Sequence, residues 1–256
     1  MSALPALLSP EPDAPFPPVE QALRQPDGLL AVGGDLTTNR LLNAYRHGIF
    51  PWYSHGQPIL WWSPDPRTVF ATDEVRLASR FRRGLRRSQW EVRADTAFAR
   101  VIHACAETSR PGQRGTWITD EMRVAYERMH ALGHAHSFEV FDGEALVGGI
   151  YGIAIGRMFF GESMFSAVSG GSKVALAALA WHLHDWGWPL IDAQVENDHL
   201  LGLGARRWAR SRFVATVAEL TAMDGNVGSW SARVGRWPAA RLGGIAHPSG
   251  TAPADL

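Results

Sequence analysis

The sequence predicts a mixed α/β chain, of the α+β kind, with a small N-terminal domain ahead of a larger domain of sheet and helices. Three observations carry that reading. A stretch dense in proline and aromatic residues gives way near Arg67 to alternating strand and helix patterns. The pair Asp142-Gly143 separates two alternating runs, 137–141 and 144–147, which is the signature of a β-hairpin. A strongly apolar run opened by Ser172 and ending near Gly187 reads as a buried helix, and 190–195 as the strand after it. The glycine fingerprint that a doubly wound nucleotide fold needs after its first strand is missing.

Bulk properties narrow the function classes. At 256 residues the chain can hold one large domain with a smaller companion, and 46% hydrophobic against 20% charged residues is enough for a core. Formal net charge is zero, so any RNA contact must come from a local patch. Cys105 is the single cysteine, which excludes a disulfide framework and a multi-cysteine metal site. No apolar run reaches the roughly eighteen residues of a membrane span, and the N-terminus lacks a basic signal region. A cytoplasmic protein with no membrane partner is expected. Positive charge rests almost wholly on arginine, Lys173 being the one lysine.

Four segments are expected in order: an extended, proline-rich arm over 1–14, the small domain over 15–66, the main domain over 67–222, and a mobile tail over 223–256. In the small domain, Thr37 or Thr38 caps a short helix with Leu41, Leu42 and Tyr45 on its apolar face, stopped by Gly48. In the main domain, residues 68–70 read as a strand and 77–87 as a basic helix. Asp95 is placed to cap a helix with Phe98, Val101, Ile102 and Cys105 on one face, and Thr119 to cap another bearing Met122, Ala125, Tyr126 and Met129. Residues 150–160 extend the sheet. Residues 198–208 read as a helix and 213–217 as a last strand.

Three places put polar or flat groups where a core should be plain. Glu162 follows two aromatic residues and Gly161. Asp192 and Gln194, two apart on a strand, share one face while Ile191, Ala193 and Val195 take the other. Trp52, Trp61, Trp62 and Trp117 offer surfaces on which a base can stack. Each has a plain reading too, as surface charge or core packing.

Together these segments resemble the leucyl/phenylalanyl-tRNA–protein transferases over roughly residues 15–220. The motifs are Gly28-Leu-Leu-Ala-Val-Gly-Gly-Asp-Leu36, Gly48-Ile-Phe-Pro-Trp52, Leu60-Trp-Trp-Ser-Pro-Asp-Pro-Arg67, Gly115-Thr-Trp-Ile-Thr119, Leu132-Gly-His-Ala-His-Ser137, Gly161-Glu-Ser-Met-Phe-Ser166 and Ile191-Asp-Ala-Gln-Val195. They occur in the family's order and at similar spacing. The resemblance implies a main domain of acetyltransferase-like (GNAT) fold, used without acetyl-CoA or any other cofactor. It implies transfer of Leu, Phe or Met from aminoacyl-tRNA to proteins with N-terminal Arg or Lys, which marks them for N-degron degradation. It makes Gln194 the catalytic position with Asp192 as its supporting carboxylate, and puts Trp52, Trp117, Phe159 and Glu162 around the aminoacyl-adenosine end. Ile150 stands where the family often has Met, and Leu179 where an aromatic residue is common, which leaves room for a Phe donor.

The chemistry is aminolysis of an ester by an α-amine, which titrates near pH 8 and so needs little base strength. Asp192 is expected to orient the Gln194 amide and favour charge building on the amine. Apolar walls for the donor side chain are Ile150, Leu176, Leu179, Leu183 and Ile191. Glu162, Glu196 and Asp198 are candidates for the acceptor's basic side chain, with Glu162 favoured by its motif. Arg76, Arg80, Arg83 and Arg87, at i, i+4, i+7 and i+11, would form one basic helical face for tRNA phosphates. Two rival readings stand beside this one. An acetyl-CoA-dependent N-acetyltransferase would carry a pyrophosphate turn whose spacing 166–172 lacks, and a non-catalytic RNA-binding module leaves Asp192 and Gln194 without a task. His130, His134 and His136 straddle a helix end with no acidic partner at ligand spacing, so no metal is expected.

Overall fold

A computed structural model describes residues 4–11, 14–108 and 118–244. Its N-terminal part is a four-stranded sheet of β1 (Ala6–Leu8), β2 (Leu29–Gly33), β3 (Phe50–Pro51) and β4 (Leu60–Trp62), in the order β1-β2-β4-β3. Helix α1 (Thr38–Arg46) joins β2 to β3, capped by the Thr37 hydroxyl and closed at Gly48, whose φ of +70° suits glycine. Arg40 of α1 is fully buried. Its guanidinium donates to the carbonyls of Ser9, Glu11 and Ala14 and pairs with Asp35, which fastens the N-terminal arm against α1.

The main domain follows as β5 (Arg67–Ala71), α2 (Ser79–Leu85), β6 (Glu91–Ala94), α3 (Phe98–Glu107), α4 (Asp120–Ala131), β7 (Ala135–Asp142), β8 (Ala145–Ile155), β9 (Met158–Ser166), α5 (Gly171–Asp185), β10 (Leu190–Gln194), α6 (Asp198–Gly202), β11 (Arg206–Trp208), α7 (Arg210–Thr221), α8 (Ser231–Val234) and β12 (Trp237–Pro238). Its eight strands run in the order β11-β5-β10-β9-β8-β7-β6-β12. Neighbours are antiparallel except β9 and β10, which α5 connects as a crossover and which lie parallel. An antiparallel meander, a crossover helix and one parallel pair make up a mixed sheet of the α+β kind that the sequence predicts.

Side chains alternate across this sheet into two cores. Leu190 and Phe160 face α1, α3, α4, α7 and the N-terminal sheet, whereas Ile191 and Phe159 face α5, α2 and the C-terminal segment. Among the described residues no helix is long and apolar enough to cross a membrane.

Several local expectations need correction. Residues 213–217 lie in α7, not in a strand: Phe213, Val217 and Leu220 are buried at helical spacing, and tertiary packing overrides the β-branched composition of the segment. The helix expected over 198–208 is the short α6 followed by the edge strand β11. Residues 150–160 span two strands that turn at Gly156, which has a φ of +58°. Asp95 does not cap α3, whose N-cap is Ala97. It takes a φ of +57° and turns its buried carboxylate to the His136 ring and to the backbone N–H of Ser137 and Trp230. His136 therefore has an acidic partner after all, supplied from another strand connection.

The segment expected to be a mobile tail packs over 223–244. Trp230, Val234, Trp237, Ala239 and Leu242 are buried in the α5-side core, and β12 covers β6 at the sheet edge. Large apolar side chains without a regular period can still be core when they fill gaps between elements. The basic face is also not realised as expected. Helix α2 holds Arg80, Arg82 and Arg83, while Arg76 precedes it and Arg87 follows it, so the four arginines do not share one continuous helical row. Arg76, Arg80, Arg83 and Arg87 are nonetheless all exposed.

Candidate active site

The parallel pairing of β10 with β9 stops at the partners Asp192 and Phe160. Beyond it, β9 continues to Ser166 beside β8, while β10 ends in a bulge. The register with β5 shifts between Asp192 and Gln194, and Gln194 takes a left-handed φ of +59°. That conformation costs a non-glycine residue about 1 kcal/mol or more, so something must hold it. Asp192 does, by accepting the backbone N–H of Gln194 on Oδ1 at 2.9 Å. The strand end is thereby bent open, with Gly161, Met164, Ala193 and Gln194 only half-buried around it.

Asp192 is itself fully buried against Arg67. Nε and Nη2 of Arg67 donate to Oδ1 and Oδ2 at 2.8 and 2.6 Å, and Nη1 donates to the carbonyl of Gly48 at 3.1 Å. The guanidinium lies between the rings of Phe50 and Phe213, at 4.6 and 4.7 Å. A bidentate, fork-to-fork pair is the geometry in which a buried ion pair can be tolerated. The expected role of Asp192 changes accordingly: it sets the backbone of Gln194, not its side-chain amide, and Arg67 balances its charge.

The amide is set by Glu162. Gln194 Nε2 donates to Glu162 Oε1 at 2.9 Å, so the amide oxygen is turned the other way. Glu162 in turn meets Tyr45 of α1 at 2.7 Å and Tyr126 of α4 at 2.9 Å, and the two hydroxyls lie 2.5 Å apart. Burial pushes the Glu162 carboxyl up to about 7; the charge of Asp192 adds to this, while the tyrosine hydroxyls and Arg67 oppose it. Burial and the same carboxyl hold both phenols well above their ordinary range, so they stay protonated. Hydrogen counting agrees with a neutral acid. With a carboxylate, two phenolic hydrogens must serve three short oxygen contacts. A proton on the carboxyl supplies the hydrogen for the third contact.

The apolar candidates Ile150, Phe159, Leu176, Leu179, Leu183 and Ile191 are brought together, all buried, on the α5 side of the same strands. They therefore lie across the sheet from the Glu162 cluster. Trp52 and Trp62 pack at 5.6 Å from each other against the core shared with Tyr45 and Tyr126, and Trp62 Nε1 donates to the Trp52 carbonyl at 2.6 Å. Tyr53, next in the chain, reaches Thr119 and Glu121 at the start of α4. Trp117 and most of its motif lie outside the described residues. Glu196 and Asp198 are exposed just past β10, Glu196 engaged by Arg207.

Arg67, Tyr45 and Tyr126 were not singled out from the sequence. Arg67 closes a motif whose other members are aromatic and proline, and both tyrosines sit on helical apolar faces where they read as core. The available signal was the hydroxyl itself, since a buried tyrosine normally has a partner for it.

This arrangement joins a left-handed glutamine at a strand break to a buried acid and a buried ion pair, and it lies within a sequence that matches a known family. The sequence model described as Leucyl/phenylalanyl-tRNA protein transferase matches residues 69–218, and that of the corresponding N-terminal domain matches 34–65. The chain belongs to the leucyl/phenylalanyl-tRNA–protein transferase family. Relatives bearing that name include one from Xanthomonas axonopodis pv. citri (strain 306), 68% identical over 94% of this chain and 96% of that one. Another, from Xanthomonas euvesicatoria pv. vesicatoria (strain 85-10), is 69% identical over 93% and 95% of the two chains. A third, from Xylella fastidiosa (strain M23), is 63% identical over 92% and 97%.

Proposed function

We propose that the chain transfers leucine, phenylalanine or methionine from aminoacyl-tRNA to the α-amine of proteins beginning with arginine or lysine, in the cytoplasm, and so marks them for N-degron degradation. The observation that carries the mechanism is the tethering of Gln194 at both ends, by Asp192 through its backbone and by Glu162 through Nε2. The remaining free acceptor, Oε1, is left to align one N–H of the attacking amine. A carboxamide is a very weak base, so it positions the amine and does not take a full proton from it. A substantial share of an α-amine, on the order of a tenth, is already neutral at pH 7. Bringing that amine and the aminoacyl ester into register supplies most of the rate, on the order of several kcal/mol.

In this reading the donor side chain enters at the break between β9 and β10 and meets Ile150, Phe159, Leu176, Leu179, Leu183 and Ile191. Trp52 and Trp117 flank the terminal adenosine. Glu162, being buried and fully engaged, is a positioning residue, and the acceptor's basic side chain falls to the exposed carboxylates Glu196 and Asp198. Arg76, Arg80, Arg83 and Arg87 contact tRNA phosphates as a patch around α2, which gives steep salt dependence.

The test is transfer from labelled Leu-tRNA and Phe-tRNA to peptides that differ only in their first residue. Transfer to a peptide beginning with Arg, and none to one beginning with Ala, is the expected result. Equal labelling of both, or none of either, contradicts the assignment.

A further inference from the structure

Phe159 is held in place from outside the span that the family models match. Its ring covers the backbone of Gly152, where a Cβ would stand 2.6 Å from the ring's edge, so it cannot move toward the sheet. Toward α5 it meets the indole of Trp230, with ring centres 6.1 Å apart. Trp230 belongs to the C-terminal segment and is 1% exposed.

Trp230 is fixed on every side. Its ring lies flat on His136, with centres 3.7 Å apart and planes 1° from parallel, and it meets Trp186 and Trp188 edge-on at 5.1 and 5.7 Å. Its backbone N–H donates to the buried Asp95 carboxylate at 2.7 Å, and Nε1 donates to the carbonyl of Asn226 at 3.0 Å. Asp95 also holds the His136 ring, at 2.8 Å, so one carboxylate positions both members of the stack. A ring so constrained transmits its position to its neighbours, because close-packed side chains do not deform smoothly.

We infer that Trp230 is a specificity-positioning residue for the donor side chain: it sets how far Phe159 can withdraw, and hence the depth available to a donor at the break between β9 and β10. This rests on the reading of Phe159 as a pocket wall. Shortening Trp230 allows Phe159 to retreat, so the larger phenylalanyl group gains over the leucyl group.

The experiment compares kcat/KM for Phe-tRNA and Leu-tRNA in the full-length chain, in Trp230→Phe and in Phe159→Leu. Both substitutions keep an apolar side chain so that the fold is retained, and thermal unfolding of each variant checks this. The Phe-to-Leu ratio should rise about tenfold in Phe159→Leu, the low end of what pocket size discriminates, and by a smaller but clear factor in Trp230→Phe. A shifted ratio in Phe159→Leu with an unmoved one in Trp230→Phe overturns the inference and leaves the pocket reading standing. An unmoved ratio in Phe159→Leu removes the pocket reading, and the inference with it. A uniform fall in both substrates in Trp230→Phe assigns the residue to core packing alone.

Discussion

On one face of β9 and β10, Arg67, Asp192, Gln194, Glu162, Tyr45 and Tyr126 form a chain of directed contacts in which nearly every polar atom has a named partner. On the other face, Ile150, Phe159, Leu176, Leu179, Leu183 and Ile191 pack together in the apolar α5-side core. The two faces should respond to change in different ways. Directed contacts in a dry interior fail together, because each lost partner strands another polar group. Apolar contacts degrade by volume, a methylene at a time. Orientation of the reacting groups is thus assigned to the first face and choice of donor to the second.

The largest effect that could break this contrast is loss of the ion pair. Arg67→Met should destabilise the fold by about 3–5 kcal/mol, since it leaves the Asp192 carboxylate buried and unpaired. Urea unfolding measures it. Adding Asp192→Leu to that variant should recover much of the stability but none of the transfer, because Gln194 then loses its backbone anchor. A double variant that transfers normally would show that the pair is scaffold only.

Next in size is the pH response of Glu162. An ordinary glutamic acid releases its proton near 4.5, and in the folded chain Glu162 keeps it to about 7. Between those values the folded state binds more protons than the unfolded one, so stability falls as pH rises through the window. The full loss, ~3 kcal/mol, is complete above about pH 7. Unfolding at pH 5 and pH 8 should therefore show a steeper decline in the wild type than in Glu162→Gln. Glu139 on β7 is also raised to about 7 by burial, but it is present in both proteins and cancels from the comparison. Parallel declines would mean that Glu162 is ionised across the range.

The apolar face should answer more gently. Leu179→Phe fills space among the donor walls, and kcat/KM for Phe-tRNA should fall relative to Leu-tRNA by about 1–3 kcal/mol of transition-state energy. Smallest is Thr119→Ala. Thr119 caps α4, which carries Tyr126, and losing the cap should cost about 1 kcal/mol of stability with a modest fall in transfer.

Much of the fold was legible because its elements carry periodic patterns. The faces of α1, α3 and α4 and the hairpin of β7 and β8 follow from spacing alone. What was illegible has a common cause. Helix α7 is rich in valine and threonine, and the segment bearing Trp230 and Trp237 has no period, so only the tertiary structure reveals that both are core. In the site, Asp192 and Gln194 could be found because polar residues stood out on a core strand. Their division of labour could not, since it depends on a bulge and on partners at 45, 67, 126 and 162 that only folding brings together. Glu162 was visible as a residue, but its burial was not.

The central claim is that Gln194 places the amine and contributes little to holding the tRNA. Single-turnover transfer by Gln194→Ala, measured beside its affinity for Phe-tRNA, tests it most directly. A rate lower by about a hundredfold or more with affinity changed less than about twofold is the predicted result. An unchanged rate, or rate and affinity falling together, would contradict it.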